Sequence, residues 1–168
     1  MSLPEKRFSD VAPAKNFYEN AIRFDEFFSR LVMPLRDGRS VRLVADFVEE
    51  TASQYRKQVY DFKNVGIIVV EGIFLFKPQY RELFDLAVWI DCSYPTALAR
   101  AIERRQEGLS PAKTIGAYET IYFPAQRIHL TQDKPRENAD LILENDAYVA
   151  RGFSRGLRQR SHRVFAMN

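Results

Sequence analysis

The run Val65-Gly66-Ile67-Ile68-Val69-Val70-Glu71-Gly72 constrains this chain more than any other stretch. Four consecutive β-branched residues closed by an acid and a glycine predict a strand buried on both faces, with a carboxylate delivered to its C-terminal edge. In open α/β sheets, ligands bind at that edge. A second such run, Leu86-Ala87-Val88-Trp89-Ile90, ends in Asp91, and Ser93-Tyr94-Pro95 then opens a helix. Two buried strands ending in acids suggest a nucleotide-handling α/β fold, in which an acid of this kind can hold Mg²⁺ beside phosphates.

A fold of that kind is expected to carry a phosphate loop, and the glycines show that this sequence has none. There are seven: Gly38, Gly66, Gly72, Gly108, Gly116, Gly152 and Gly156. A phosphate-cradling loop sets two glycines five apart and follows them with Lys and Ser or Thr, so that backbone N–H groups wrap the phosphates. Gly152 and Gly156 stand four apart in an arginine-rich tail, with no Lys-Ser or Lys-Thr pair after them. Lys113-Thr114 is such a pair, but Gly108 lies too far ahead of it and no second glycine accompanies it.

The chain of 168 residues is 46% hydrophobic and 28% charged, which fits one globular domain and excludes a disordered or fibrous chain. The domain is expected over 1–146, followed by a flexible basic tail over 147–168. A single cysteine, Cys92, excludes an intramolecular disulfide and a Cys-rich zinc site, and is read as a buried or half-buried structural thiol. No secretory leader is visible at Met1-Ser2-Leu3-Pro4-Glu5-Lys6 and no apolar stretch approaches membrane-spanning length, so a cytoplasmic location is expected. The net charge of +3 is uneven: Arg151, Arg155, Arg158, Arg160 and Arg163 crowd the tail. These arginines could neutralise phosphates, but without regular aromatic interleaving the tail reads as a solvated end rather than a nucleic-acid site.

Along the chain, Met1 to about Lys15 reads as loop around Pro4 and Pro13. Phe24, Phe27, Phe28, Leu31, Val32 and Leu35 recur at helical spacing up to a stop at Asp37-Gly38, and the phenylalanines are read as core. Val41, Leu43, Ala45 and Phe47 alternate with Arg42, Val44 and Asp46 as a strand, and Gln54 to Phe62 reads as an extended partner for it. Pro78 to Leu83 and Thr96 to Arg105 read as helices, the second leading to a break at Gly108-Leu109-Ser110-Pro111. A helix over about Ile115 to His129 is expected to kink or split at Pro124, and Asp140-Leu141-Ile142-Leu143 reads as a last short strand.

In order along the chain stand Asn16-Phe17 with Phe24-Asp25, Arg36-Asp37-Gly38-Arg39-Ser40-Val41, Ala45-Asp46-Phe47, Val70-Glu71-Gly72-Ile73 and Leu83-Phe84-Asp85-Leu86. Ile90-Asp91 with Arg100 and Arg104 follows, then Tyr118, Pro124 and Asn138-Ala139-Asp140-Leu141-Ile142. This ordered set, from about residue 16 to residue 143, resembles the uridine kinase and phosphoribulokinase branch of the P-loop kinases. The resemblance implies a mostly parallel sheet flanked by helices, and transfer of the ATP γ-phosphoryl group to a hydroxyl of a nucleoside or similar small metabolite. It makes Glu71 the Mg²⁺ ligand at the second acidic motif. Arg100 and Arg104 become lid arginines that clamp phosphates, with Arg105 beside them able to substitute for either. Tyr18, Asp46 and Tyr118 are implied as substrate-side residues. Arginine suits the clamp because its planar fork donates bidentately and keeps its charge.

Departures from the family pattern limit what the resemblance carries. The first strands and the phosphate loop of the family would precede residue 1. A tyrosine of the pyrimidine-binding members is replaced by Ala45, a histidine by the region of Glu50, and a glutamine by Ala117. The opposing function is a non-catalytic kinase remnant that acts as a binding or regulatory protein. Blander roles stand beside the site assignments: Arg100, Arg104 and Arg105 as an exposed helix face paired with Glu103 and Glu107, Asp91 as a helix cap, His129 as structural, and Tyr18 and Tyr118 as packing residues with a hydrogen-bonding tip. A sheet lacking central strands exposes an edge, which predicts an aggregation-prone monomer unless a second copy or another chain covers it.

Overall fold

Proline begins helices here more often than it breaks them. The computed structural model describes residues 1–105 and 108–146, and its first stretch is helical: α1 (Pro4–Arg7) and α2 (Pro13–Asn20) each start on a proline. At the first helical position proline's fixed φ is already helical and its missing N–H is one the helix does not use. The loop expected up to Lys15 therefore holds one short helix and the start of a second, with non-helical chain before and between them. The basic tail, Gln106 and Glu107 lie outside the described residues, and so do the expectations placed on them.

The aromatic stretch forms α3 (Phe24–Phe27), a π-helical turn over Phe28–Val32, and α4 (Met33–Gly38) as one continuous rod. It ends where expected, although Arg39 rather than glycine takes the left-handed conformation after it, at φ 55°. Two strands follow, β1 (Val41–Phe47) and β2 (Arg56–Phe62), paired antiparallel from Val41 opposite Phe62 to Phe47 opposite Arg56. Next come α5 (Pro78–Arg81), β3 (Val88–Asp91) and α6 (Tyr94–Arg104). The Ser93 hydroxyl caps α6 by accepting from the Thr96 N–H, so the cap assigned to Asp91 belongs to Ser93. Asp91 instead meets Arg136 at 2.6 Å. Then α7 (Pro111–Ala117), a second π turn over Tyr118–Tyr122 and α8 (Phe123–Gln132) run on, and β4 (Leu141–Glu144) pairs parallel with β3.

The core is aromatic and lies on the helical side. Phe28 stacks on Tyr80 with ring centroids 4.5 Å apart, and Phe24, Phe17, Tyr18 and Phe74 extend the cluster. The Tyr80 hydroxyl donates to Asp25, and burial together with that carboxylate pushes its pKa up to about 12.

The run from Val65 to Glu71 departs from expectation. It is extended, but among the described residues it joins no sheet; its first residue donates to the Arg39 carbonyl at 2.8 Å. Ile67 and Val69 are 83% and 80% exposed, whereas Ile68 and Val70 are half-buried. A β-branched run is buried on both faces only when layers cover both, and here one face has cover. Leu141 and Leu143 of β4 are likewise about half exposed. No helix among the described residues is long and apolar enough to cross a membrane.

Candidate functional site

A cavity of about 240 Å³ opens where the rod, the hairpin and the end of the Val65 run meet. Strand alternation puts Leu43, Ala45 and Phe47 on one face of β1, with Tyr60 opposite Leu43, and these residues form the hairpin wall. Phe24, Phe27 and Leu31 form the helical wall, and Val70, Ile73 and Leu75 the third.

Charge is gathered at the rim and largely neutralised there. The two carboxylate oxygens of Glu26 take Arg23 at 2.6 Å and Arg30 at 3.0 Å, the i+3 and i+4 neighbours that a helix brings together. Arg23 also donates to the Asp46 carbonyl at 2.5 Å, and its guanidinium lies over the Tyr55 ring. The Asp46 carboxylate belongs to the other face of β1, where it takes a 2.7 Å contact from Lys57, and that hydrogen bond holds its pKa below the usual carboxylate range. Glu71 stands on the cavity wall, exposed, with no hydrogen-bond or ion-pair partner among the described residues. Gly72 follows it at φ 155°, a conformation that a side chain disfavours, and turns the chain away so that the carboxylate ends its segment.

Of the residues singled out in the sequence, Glu71 and Asp46 line this cavity, while Tyr18, Tyr118, Arg100, Arg104 and Arg105 do not. Arg100 approaches Asn145 Oδ1 at 3.4 Å and Cys92 Sγ at 3.7 Å on α6; Arg104 is exposed at the end of that helix, and Arg105 follows it in a left-handed conformation. The Cys92 thiol is half-buried, and burial raises its pKa. Tyr118 is half-buried against Tyr122 and Phe123.

Tyr18 belongs to a buried polar cluster that the sequence reading did not assemble. Its hydroxyl donates to Asp133 Oδ2 at 2.5 Å, the same oxygen that meets His129 Nδ1 at 2.6 Å. Lys77 Nζ lies 4.2 Å from the Tyr18 ring centroid and donates to the Tyr18 carbonyl. Burial lowers the His129 pKa despite the nearby carboxylate, so the neutral ring donates from Nδ1 and leaves a buried, unpartnered Nε2. His129, read from the sequence as structural, is buried against Asp133. The spacing of His129 and Asp133, four apart on one helix, was the available signal. Arg23, Glu26 and Arg30 were also missed, although their spacing is equally regular.

Among the described residues no three His, Cys, Asp or Glu side chains gather as a metal site. Mg²⁺ nevertheless fits Glu71 alone, because this ion is commonly held by one or two carboxylates with phosphates and waters completing its octahedron. The polyphosphate of a nucleotide finds no glycine-rich cradle in this sequence.

No family model matches the chain. Uridine kinases of Staphylococcus aureus, from strains JH9 and Newman among others, are 25% identical to it over 130 residues, which cover 75% of this chain and 61% of the relative. A solved structure described as a possible uridine kinase from Bacillus stearothermophilus superposes with a TM-score of 0.63 at 19% identity, covering 85% of this chain and 66% of that one. The chain thus spans about three fifths of the length of the curated relatives it matches. At this identity the structural likeness speaks for the fold alone, an α/β fold shared with that structure. By sequence and by fold, the chain is similar to uridine kinases.

Proposed function

We propose that this chain provides the acceptor side of a cytoplasmic uridine kinase-like phosphotransferase, which moves the γ-phosphoryl group of ATP to a hydroxyl of a nucleoside or similar small metabolite. The observation that carries this reading is the unpartnered Glu71 carboxylate on the wall of an apolar cavity. The cavity would exclude water and hold the acceptor's body against Phe24 and Leu43, so that a hydroxyl emerges beside Glu71. Bound there with the nucleotide, Mg²⁺ would neutralise charge on the phosphates. Arg100, Arg104 and Arg105 are proposed as phosphate clamps, and Tyr18 and Tyr118 as packing behind the substrate side. A second copy, or another chain, is proposed to cover the exposed Ile67–Val69 edge.

Calorimetric titration of the folded chain with Mg²⁺-ATP, beside Glu71→Gln, tests the assignment. Binding that weakens at least ten-fold in the variant is expected. Equal binding by both proteins would remove Glu71 from the metal site. One observation favours a second reading, a non-catalytic protein that keeps the acceptor cavity: none of the seven glycines is set to wrap a phosphate chain. Failure of the folded chain to bind Mg²⁺-ATP at all would select that reading.

A further inference from the structure

The charged groups of the cavity separate into two poles. At the rim where the rod meets the hairpin, Arg23 and Arg30 share the single carboxylate of Glu26, which leaves one positive charge uncompensated. Asp46 does not cancel it, because its carboxylate is on the other face of β1 with the Lys57 ammonium at 2.7 Å. Glu71 supplies the negative pole from the third wall and has no protein partner among the described residues. Met1 lies against Arg23 on the lining, and its ammonium adds to the positive pole, but the count holds without it.

Both arginines keep donors to spare. A guanidinium carries five N–H groups. Arg23 uses three, on the Met1 carbonyl, Glu26 and the Asp46 carbonyl, and these hold it in place over the Tyr55 ring. Arg30 uses two, on Glu26 and, at 3.4 Å, on the Val44 carbonyl, and its side chain is 52% exposed. A cation fixed before the ligand arrives loses little freedom on binding. The main chain from Val70 to Gly72 also lines the cavity and joins no sheet, so its N–H and C=O groups can pair with polar groups of a ligand. Those groups serve neutral ligands of many kinds, whereas the uncompensated guanidinium charge favours one class.

We infer that the acceptor carries a carboxylate, held on the spare N–H groups of Arg23 and Arg30, at one end of an apolar body whose hydroxyl reaches Glu71. A hydroxy acid of this kind spans the two poles, and its body lies against Phe27, Leu43 and Ala45. One carboxylate answers the one residual positive charge, and its planar pair of oxygens matches the guanidinium fork. This rests on the reading of the cavity as the acceptor side.

The test is calorimetry and ligand-observed NMR on the full chain with meta- and para-(hydroxymethyl)benzoate, their methyl esters and para-methylbenzoate. The better of the two hydroxy acids is expected to bind roughly ten-fold more tightly than its ester, the step that a hydrogen bond to a charged group brings. Arg30→Met should reduce the acid to the level of its ester. Glu26→Gln, which removes the carboxylate that the arginines share, should tighten the acid several-fold and leave the ester unchanged. If Arg30 serves only to hold the hairpin, its loss moves acid and ester together, and that outcome overturns the proposal. So does equal binding of acid and ester to the wild-type chain, or no binding of either hydroxy acid. Near-ultraviolet circular dichroism and a thermal melt check that each variant is folded; if Arg30→Met is not, the contrast between acid and ester in Glu26→Gln decides alone. A hydroxy acid that binds through Arg30 but no more tightly than para-methylbenzoate keeps the carboxylate site and removes the hydroxyl from Glu71, so failure of the acceptor reading is told apart from failure of the anion site.

Discussion

The Tyr18 hydroxyl and the His129 ring share one oxygen of Asp133 inside the core, which makes these three positions sensitive to small changes. Tyr18→Phe removes a donor from a buried carboxylate and is expected to cost about 1.5–3 kcal/mol, the range for hydrogen bonds to charged groups, read as a lower urea midpoint. The pH dependence follows from His129. Burial lowers its pKa in the folded state, whereas the unfolded chain takes up the proton near the ordinary value of 6.5. Below that pH the unfolded state binds more protons, so stability falls as pH drops from about 7.5 to 5.5. Urea midpoints at the two pH values should show the decline, and its slope should flatten in His129→Gln. At this scale sequence reading is uneven. Glu71 stood out because a local run of residues ends on it. Tyr18 meets Asp133 across 115 positions, a separation that no local spacing encodes.

Among elements, the hairpin was legible because alternation in β1 survives in its burial pattern, and the parallel strands formed close to where they were expected, β4 running one residue further, although Ile90 of β3 is exposed rather than buried. The prolines were harder to read. Pro124 was expected to kink or split its helix, yet the backbone widens instead: the Phe123 N–H reaches back five residues to the Tyr118 carbonyl, and Met33 does the same to Phe28 just before Pro34. A wide turn absorbs the contact between a proline ring and the preceding turn. Composition does not distinguish such a proline from one that ends a helix. The Val65 run carries the opposite lesson, since its residue types specify a strand while its burial depends on what lies beside it. Exposed strand edges template association, so the chain is expected to self-associate at micromolar concentration. The double variant Ile67→Lys, Val69→Lys should shift it toward monomer in analytical ultracentrifugation with the melting temperature unchanged. A monomeric wild-type chain with a cooperative melt well above room temperature would contradict this.

Across the whole molecule, three arginines from the helical layer hold the hairpin and the loop that follows β1. Arg7 donates to the Glu50 carbonyl at 2.8 Å, Arg23 to that of Asp46, and Arg30 to that of Val44. Arg23→Ala is expected to loosen this attachment, with faster amide exchange across β1 and β2 and little change in β3 and β4, because the two sheets share no strand. All three bonds end on main-chain oxygens, which every amino acid possesses. Substitutions along β1 and β2 can therefore change the shape and polarity of the cavity wall without cutting what fastens it. In evolutionary terms, the surface that selects a ligand is free to drift while its mounting stays fixed, so related chains can diverge in what they accept long before they diverge in fold.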